Sequence, residues 1–460
     1  MENTCAVILA AGNGKRMKSE KPKALCEVLF RPMIDWVLDA IFDAGIKDVC
    51  VVTGSQAEML EEHLGDSVKT VRQLERLGTA NAAKAAEAFI KEHIGDDVLI
   101  LNGDAPFIDS RTIVHSHELH SVGHAQTVIS AIVDNPFGYG RIVRSEGNVF
   151  EAIVEEASAD ERIKAIREIN SGCMWFRAPD LLFALDRIKN DNSKGEYYLT
   201  DSVDVLKKAK KMVAAYTSSN PDSVLGANSR RQLAQLTETA RQRIFDALYD
   251  VGVDIPCTDG VMISKDAKIG ADTQILPGTI IKHGVTIGKG CVVGPNTILE
   301  ETSVGDGTTL NNVCAEYARV GSDCRIGPFA HIRPQSVIAD GVKMGNFTEV
   351  KNSTVGENTS VAHLTYVGDS DVGSDVNFGC GTVTVNFDGK NKYRTTIGDG
   401  AFIGCNTNLI APVKIGRNAY TAAGSTITED VPDNAMSIAR SRQTNKDEWV
   451  VKKQPYRREV

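Results

Sequence analysis

Between residues 261 and 427 the apolar positions recur at every sixth residue. Aliphatic side chains fall at Ile269, Ile275, Ile281, Ile287, Val293 and Leu299, then in a shifted phase at Val304 and Leu310. The step resumes at Val320, Ile326, Ile332, Ile338, Met344 and Val350, and again at Val355, Val361 and Val367. A last run holds Ile397, Ile403, Leu409, Ile415 and, beyond Thr421, Ile427. A period of six is neither helical nor that of a plain alternating strand; self-similarity of this kind marks a solenoid. It predicts a parallel β-helix in which each short strand turns one aliphatic side chain inward. Stacked coils then bury a continuous column, with Gly or Asn at the corners. The step is lost over residues 379–396, a polar and basic stretch containing Asn386-Phe-Asp-Gly-Lys-Asn-Lys392. Such a loop is either functional or a tolerated surface insertion.

The first half carries a different pattern. Apolar runs at residues 5–11, 48–53, 68–73 and 97–102 read as strands, and helical faces lie between them at 32–44, 56–64 and 79–94. Alternation of this kind implies a mostly parallel, Rossmann-like sheet covered on both faces, with ligands beyond the carboxyl ends of its strands. Three features fall there. Leu9-Ala-Ala-Gly-Asn-Gly-Lys-Arg16 is a Gly-rich turn flanked by Lys15, Arg16 and Lys23, matching neither a dinucleotide fingerprint nor a P-loop. Asp104 follows a buried strand and is placed either to hold Mg²⁺ or to cap a turn. Gln73, Gly78 and Thr79 flank a helix start that Thr79 could itself cap. Residues 229–249 read as a connecting helix, with Asn228 as a candidate N-cap.

Composition narrows the classes. With 51 Lys+Arg against 60 Asp+Glu, the net charge of −9 argues against general nucleic-acid affinity. Ten scattered cysteines without a Cys-x-x-Cys pair suit a reducing cytoplasm, and no run approaches a membrane span. Of His115, His117, His120 and His124, the last three would share a helix face and could chelate a metal, but a solvated polar helix is expected there in place of a metal site.

The motifs Leu-Ala-Ala-Gly-x-Gly-x-Arg-Met, Lys-Pro-Lys, Gly-Thr-Ala, Gly-Asp, Gly138-Tyr-Gly-Arg141, Glu168-Ile-Asn-Ser-Gly172 and Gly195-Glu-Tyr-Tyr-Leu-Thr-Asp201 stand in colinear order ahead of the repeat. Together they resemble the bifunctional N-acetylglucosamine-1-phosphate uridylyltransferase / glucosamine-1-phosphate acetyltransferase family, from about residue 5 to Trp449. The resemblance implies an α/β nucleotidyltransferase domain at 1–227, a linker helix at 228–250 and a left-handed β-helix acetyltransferase domain with a basic tail at 251–460. It also implies a cytoplasmic homotrimer with small-molecule substrates, no nucleic acid and no membrane. Leu9, Ala10, Ala11, Gly12, Gln73, Gly78 and Thr79 would hold the uridine of UTP. Arg16 and Lys23 would neutralise phosphates, while Gly140, Glu155 and Asn170 would hold N-acetylglucosamine-1-phosphate. Asp104 and Asn228 would bind Mg²⁺.

On the β-helix, the resemblance implies His363 as the general base that deprotonates glucosamine-1-phosphate, with Glu349 orienting its imidazole. Arg333, Lys351 and Lys392 would bind the sugar phosphate, and Tyr366, Asn377 and Asn386 would fix the sugar. Asn386 belongs to the expected catalytic set with His363 and Glu349. Acetyl-CoA would lie against Cys380, Asn386, Phe387, Cys405, Ala423 and Arg440, with Lys446 also near its phosphates. Cys405 stands where the family usually has serine, Cys380 where it has alanine, and Phe387 where tyrosine is common. The 386–392 segment is expected to reach a neighbouring subunit. Three rival readings follow from the residues: a monofunctional pyrophosphorylase, a non-catalytic trimeric scaffold, and a metal-dependent hydratase, the last disfavoured because the β-helix histidines lack convergent spacing.

Overall fold

The computed structural model describes residues 1–453 apart from 13, 55 and 192–194, so the tail residues Arg457 and Arg458 lie outside the described residues. The chain forms two compact units, Met1–Ala240 and Arg241–Val460.

The first unit is built on a twisted sheet. Its strands are β1 (Thr4–Leu9), β2 (Asp48–Thr53), β3 (Lys69–Arg72), β4 (Asp97–Asn102), β5 (Gln126–Ile132), β6 (Arg141–Arg144), β7 (Phe150–Val154), β8 (Glu168–Arg177) and β9 (Val213–Thr217). The main path runs β9-β5-β8-β4-β1-β2-β3, with β6 paired to β8 and β7 paired to β6. β1 pairs in parallel with β2 and β4, and its Cys5, Ala6, Val7 and Ile8 are fully buried between two apolar clusters. Burial on both faces is why these strands are continuous apolar runs instead of alternating ones.

The sheet is mostly parallel, as expected, and one strand of its main path is reversed. β8 runs antiparallel between β4 and β5, and its register slips between Asn170 and Met174. Gly172 sits in that bulge at φ +77°, and a Cβ there would come within 2.2 Å of Asn102 Nδ2. Only glycine lets β8 pass the end of β4 so closely. The single helix expected over residues 79–94 is two, Thr79–Ala85 and Glu87–Glu92, because Ala86 leaves the helical region at φ −87°, ψ 12°.

The histidine helix spans Ser110–Ser121, and its expected solvated character is also corrected. His120 is buried beside Trp175, with Nδ1 3.1 Å from Thr127 Oγ1. His117 Nε2 lies 2.9 Å from Asp97. Burial alone would raise the Asp97 carboxyl, but the two imidazoles outweigh it and hold Asp97 well below the usual carboxylate range. The histidines serve packing.

The long helix Arg230–Asp250 starts after Ser229, whose carbonyl accepts from Leu233 N at 2.9 Å. Its later residues Phe245 and Leu248 join the apolar column of the second unit.

That unit is a parallel β-helix of three sheets, with ten, nine and ten strands among the described residues. The first sheet begins at Met262–Ile263, the second at Lys268–Ile269 and the third at Gln274–Ile275. Successive coils pair eighteen residues apart at Met262 and Ile280, sixteen at Ile298 and Cys314, and seventeen at Glu349 and Tyr366. These shortened coils are the physical origin of the phase shifts in the six-residue step. Every aliphatic position of the step is buried at 9% exposure or less. At about 1.5–3 kcal/mol per buried Ile, Leu or Val, this column carries the unit.

The step also continues through residues that an aliphatic pattern overlooks. Ala315, Phe378 and Thr384 are buried in the same column. Val383–Val385 is a strand of the first sheet, so the departing loop begins at Asn386 and not at residue 379. Tyr393 N donates to Asn386 O at 2.8 Å and closes the excursion.

Candidate active sites

In the first unit a cleft of about 670 Å³ opens at the carboxyl ends of β1 and β4. Leu9, Ala10, Ala11 and Gly12 form one wall, while Gln73, Gly78 and Thr79 form another. Gly140, Glu155 and Asn170 line the far side, and Lys23, Asp104 and Asn228 meet at the floor. Of the residues expected here, Arg16 alone is not on the wall; it stands exposed on the turn Lys15–Met17.

Local folding accounts for each placement. Gly78 has φ +112°, and a Cβ there would lie 2.4 Å from Tyr197 O. Ala80 N donates to that same carbonyl at 2.9 Å, so residues 78–80 clasp the 197–199 segment. Thr79 is not a cap: its hydroxyl accepts from Leu199 N at 2.9 Å. Gln73 donates its amide to Asn81 Oδ1 at 2.6 Å, which fixes the plane it shows the cleft. Glu155 accepts from the Thr200 hydroxyl at 3.2 Å, and Asn170 Oδ1 accepts from Gly172 N at 3.0 Å.

Asp104 and Asn228 converge on one cation. Ala227 N donates to Asp104 O at 3.3 Å, drawing the 226–228 segment to the end of β4. The Lys23 ammonium is ion-paired with Asp104 and donates to Asn228 Oδ1 at 2.6 Å. Two hard oxygens that share one positive charge form a donor set that fits Mg²⁺. Asn228 therefore does not cap the following helix, and Lys23 sits on the carboxylate instead of standing free for phosphate. Tyr139 and Arg76 also line the cleft and were not expected; burial pushes the Tyr139 phenol up. The Gly138-Tyr-Gly motif was the signal that could have pointed to Tyr139.

In the second unit, His363 stands exposed at the corner that ends the third-sheet strand Ser360–His363. Its Nδ1 lies 3.1 Å from Asn346 Oδ1, one coil earlier and in register. The expected partner Glu349 is instead held by Arg333, Nη1 to Oε1 2.9 Å. The reason is topological: Glu349 and Tyr366 pair on the first sheet, while His363 and Asn346 pair on the third. Asn346 was legible as a polar residue seventeen positions before His363.

Lys351 ends the strand Glu349–Lys351, at the far edge of the first-sheet face that carries Tyr366. The Lys392 ammonium beside it, with some desolvation, holds Lys351 below the ordinary lysine range. Asp369 faces both lysines and accepts hydrogen bonds from Asn352 and Asn386. Asn386 is thus a buried positioning group whose amide is directed at Asp369. The 386–394 loop folds back on its own coils, with Arg394 Nε 3.0 Å from Asp371 Oδ2. Residues 387–392 at its tip remain exposed. Asn377 projects from the third sheet, away from the Tyr366 face.

Of the residues expected for acetyl-CoA, Cys380, Cys405, Ala423 and Arg440 gather on one corner, whereas Asn386 and Phe387 belong to the 386–394 loop. Gly381 N donates to His363 O at 3.2 Å, Asn406 N to Cys380 O at 2.7 Å, and Gly424 N to Cys405 O at 2.8 Å. His363, Cys380, Cys405 and Ala423 therefore stand on successive coils, and Arg440 Cδ lies over Gly424. Phe387 is exposed and bridged to Lys392.

Residues 6–188 match the MobA-like NTP transferase domain, and residues 266–301, 317–352 and 394–429 match the bacterial transferase hexapeptide family of six repeats. The chain is 48% identical to the bifunctional protein GlmU of Caldanaerobacter subterraneus subsp. tengcongensis over 98% of both chains. It is 45% identical to that of Acetivibrio thermocellus over the whole of both, and 46% identical to that of a Geobacillus species over 97% of both. The chain belongs to the GlmU family. Its fold is accordingly that of an α/β nucleotidyltransferase domain followed by a hexapeptide-repeat left-handed β-helix. It is a bifunctional enzyme of UDP-N-acetylglucosamine synthesis, acetylating glucosamine-1-phosphate and transferring uridylyl to N-acetylglucosamine-1-phosphate. No helix among the described residues is long and apolar enough to cross a membrane.

Proposed function

We propose that the two reactions of the family are divided between the two units. Uridylyl transfer belongs to the cleft of the first unit, and acetyl transfer to the corner that carries His363. The convergence of Asp104, Asn228 and Lys23 at the cleft floor carries the first assignment. A sugar-phosphate oxygen attacks the α-phosphorus of UTP in line and pyrophosphate leaves. Both reactants are anions, so the wall residues serve to position them and screen their repulsion. Mg²⁺ held by Asp104 and Asn228 would supply charge neutralisation at the triphosphate. Lys23, released from Asp104, is then available to a phosphate oxygen.

On the β-helix, an amide oxygen can only accept, so Asn346 keeps the proton on His363 Nδ1 and leaves Nε2 basic. Nε2 takes the proton of the glucosamine-1-phosphate amine as nitrogen attacks the thioester of acetyl-CoA, which runs along the Cys380–Ala423 ladder. Lys351 and Lys392 supply the charge for the sugar phosphate, and Arg333 with Glu349 borders the sugar. We further infer domains at 1–227, 228–250 and 251–460, a homotrimer and a cytoplasmic location. Incubating the protein with glucosamine-1-phosphate, acetyl-CoA, UTP and Mg²⁺, and identifying products by mass, tests the reading. UDP-N-acetylglucosamine should appear; its absence, with neither half-reaction observed, would sink it.

A further inference from the structure

Cys314, Glu316 and His331 converge on the same outer face of the first sheet as Glu349, one and two coils before it. One sulfur, one carboxylate oxygen and one imidazole nitrogen all lie within 4.8 Å of one another. The register explains the grouping. Cys314 and Glu316 are two apart on the strand Val313–Glu316 and so share its face. His331, on Ala330–Ile332, pairs directly with Cys314 across the parallel ladder. A second observation points to a ligand. The Nε2 atom of His331 is buried and has no hydrogen-bond partner among the described residues. A buried imidazole nitrogen left unpaired is costly, and a bound cation removes that cost. The Cys314 thiol makes only a long contact to Glu316 Oε1, 3.7 Å.

We propose that Cys314, Glu316 and His331 form a site for a borderline divalent cation, zinc above others, which cross-links two consecutive coils of the β-helix. Thiolate, imidazole and carboxylate are the zinc ligand types, and three of them leave a fourth position for water. Sulfur and nitrogen are poor ligands for Mg²⁺, so this site and the cleft floor select different metals. Zinc bonds of about 2.0–2.3 Å require the three atoms to close by roughly 1 Å, within reach of side-chain rotation. The neighbouring Glu300, in register with Glu316, is held by Lys282 Nζ at 2.8 Å and stays outside the set. Burial, and then Glu316, pushes the Cys314 thiol up, so zinc entry releases a proton from it.

The full-length protein, stripped with a chelator and titrated with zinc against a chromogenic competitor, tests this. Wild type should bind one more equivalent tightly than Cys314→Ser or His331→Gln. The affinity of that equivalent should fall by about tenfold or more in either variant, since even outer-shell changes cost about that much. Equal zinc binding by wild type and both variants would overturn the site. Alkylation of wild type, mapped by peptide mass, needs no variant: zinc should protect Cys314 and leave the exposed Cys405 reactive. Alkylation of Cys314 at the same rate with and without zinc would equally overturn it. Cobalt in place of zinc should give a thiolate charge-transfer band that Cys314→Ser abolishes, and persistence of the band in that variant would count against the assignment.

Discussion

His363 Nδ1 lies 3.1 Å from Asn346 Oδ1, directly across the parallel ladder that joins one coil to the next. The contact fixes a tautomer without a charge. Asn346→Ala should therefore lower the kcat of acetyl transfer about tenfold to hundredfold, at or below the ~10²-fold lower limit of what the base itself contributes. KM for glucosamine-1-phosphate should change little, and uridylyl transfer should not change. A loss confined to KM would show that Asn346 binds sugar instead of positioning the base.

The cleft floor gives a second expectation. Asp104→Ala removes one of the two oxygens that meet the Lys23 ammonium. Uridylyl transfer should fall about a hundredfold or more, the size of effect when a charge-stabilising group is lost. Acetyl transfer, on the other unit, should persist. Steady-state assays of each half-reaction check this, and parallel loss of both in a folded variant would contradict the division of labour.

Lys351 carries a pH signature. Lys392 beside it favours the neutral amine, so Lys351 loses its proton at lower pH than an ordinary lysine. A bound sugar phosphate favours the charged form. KM for glucosamine-1-phosphate should thus rise as pH climbs through this lowered value. In Lys392→Met the like charge is gone, so the rise should move to higher pH, although KM near neutrality becomes larger. A KM profile with the same pH midpoint in both proteins would remove Lys392 from the pair.

How much of this was legible depended on what kind of regularity carried it. The aliphatic column from Ile269 to Ile427 could be read because every coil repeats the same demand for an inward side chain. It broke where Ala315, Phe378 and Thr384 met that demand with residues outside the aliphatic class. The cleft residues were readable through motifs, since a close approach such as Gly78 to Tyr197 admits one residue type. Partners set by register across coils were not. Glu349 lies near His363 in sequence, yet the corner at Leu364 puts them on different faces, whereas Asn346 is brought opposite. The Lys23–Asp104 pair joins residues 81 positions apart, with no sequence pattern to announce it.

Cys405 is exposed on the corner ladder above His363 and Cys380. Direct attack of an amine on a thioester needs no enzyme thiol, so Cys405 is expected to act only as a spacer. Cys405→Ser should preserve acetyl transfer or raise it modestly. Severe impairment, together with an acetyl group trapped on the wild-type thiol, would establish a covalent route instead.

The last expectation concerns which residues of the acetyl-transfer site come from one chain. Tyr366 and Lys351 share the outer face of the first sheet, and His363 stands at the corner that leads into it. The 386–394 loop folds back, with Lys392 beside Lys351 and Arg394 on Asp371. One chain therefore presents His363 together with Lys351 and Lys392, the proposed base and phosphate ligands. Asn377 does not belong to that face; it projects from the third sheet, and its neighbour Phe378 fills the interior. If Asn377 contacts the sugar, as the family resemblance implies, it does so from a second copy. In the proposed homotrimer, mixtures of His363→Ala with Lys392→Ala should then show no recovery of acetyl transfer, because both lesions fall in the same site. Mixed trimers of His363→Ala with Asn377→Ala should recover part of it, because some interfaces combine an intact corner with an intact Asn377. Uridylyl transfer serves as the internal control in both mixtures. Recovery in the first mixture, or none in verified trimers of the second, would overturn this partition.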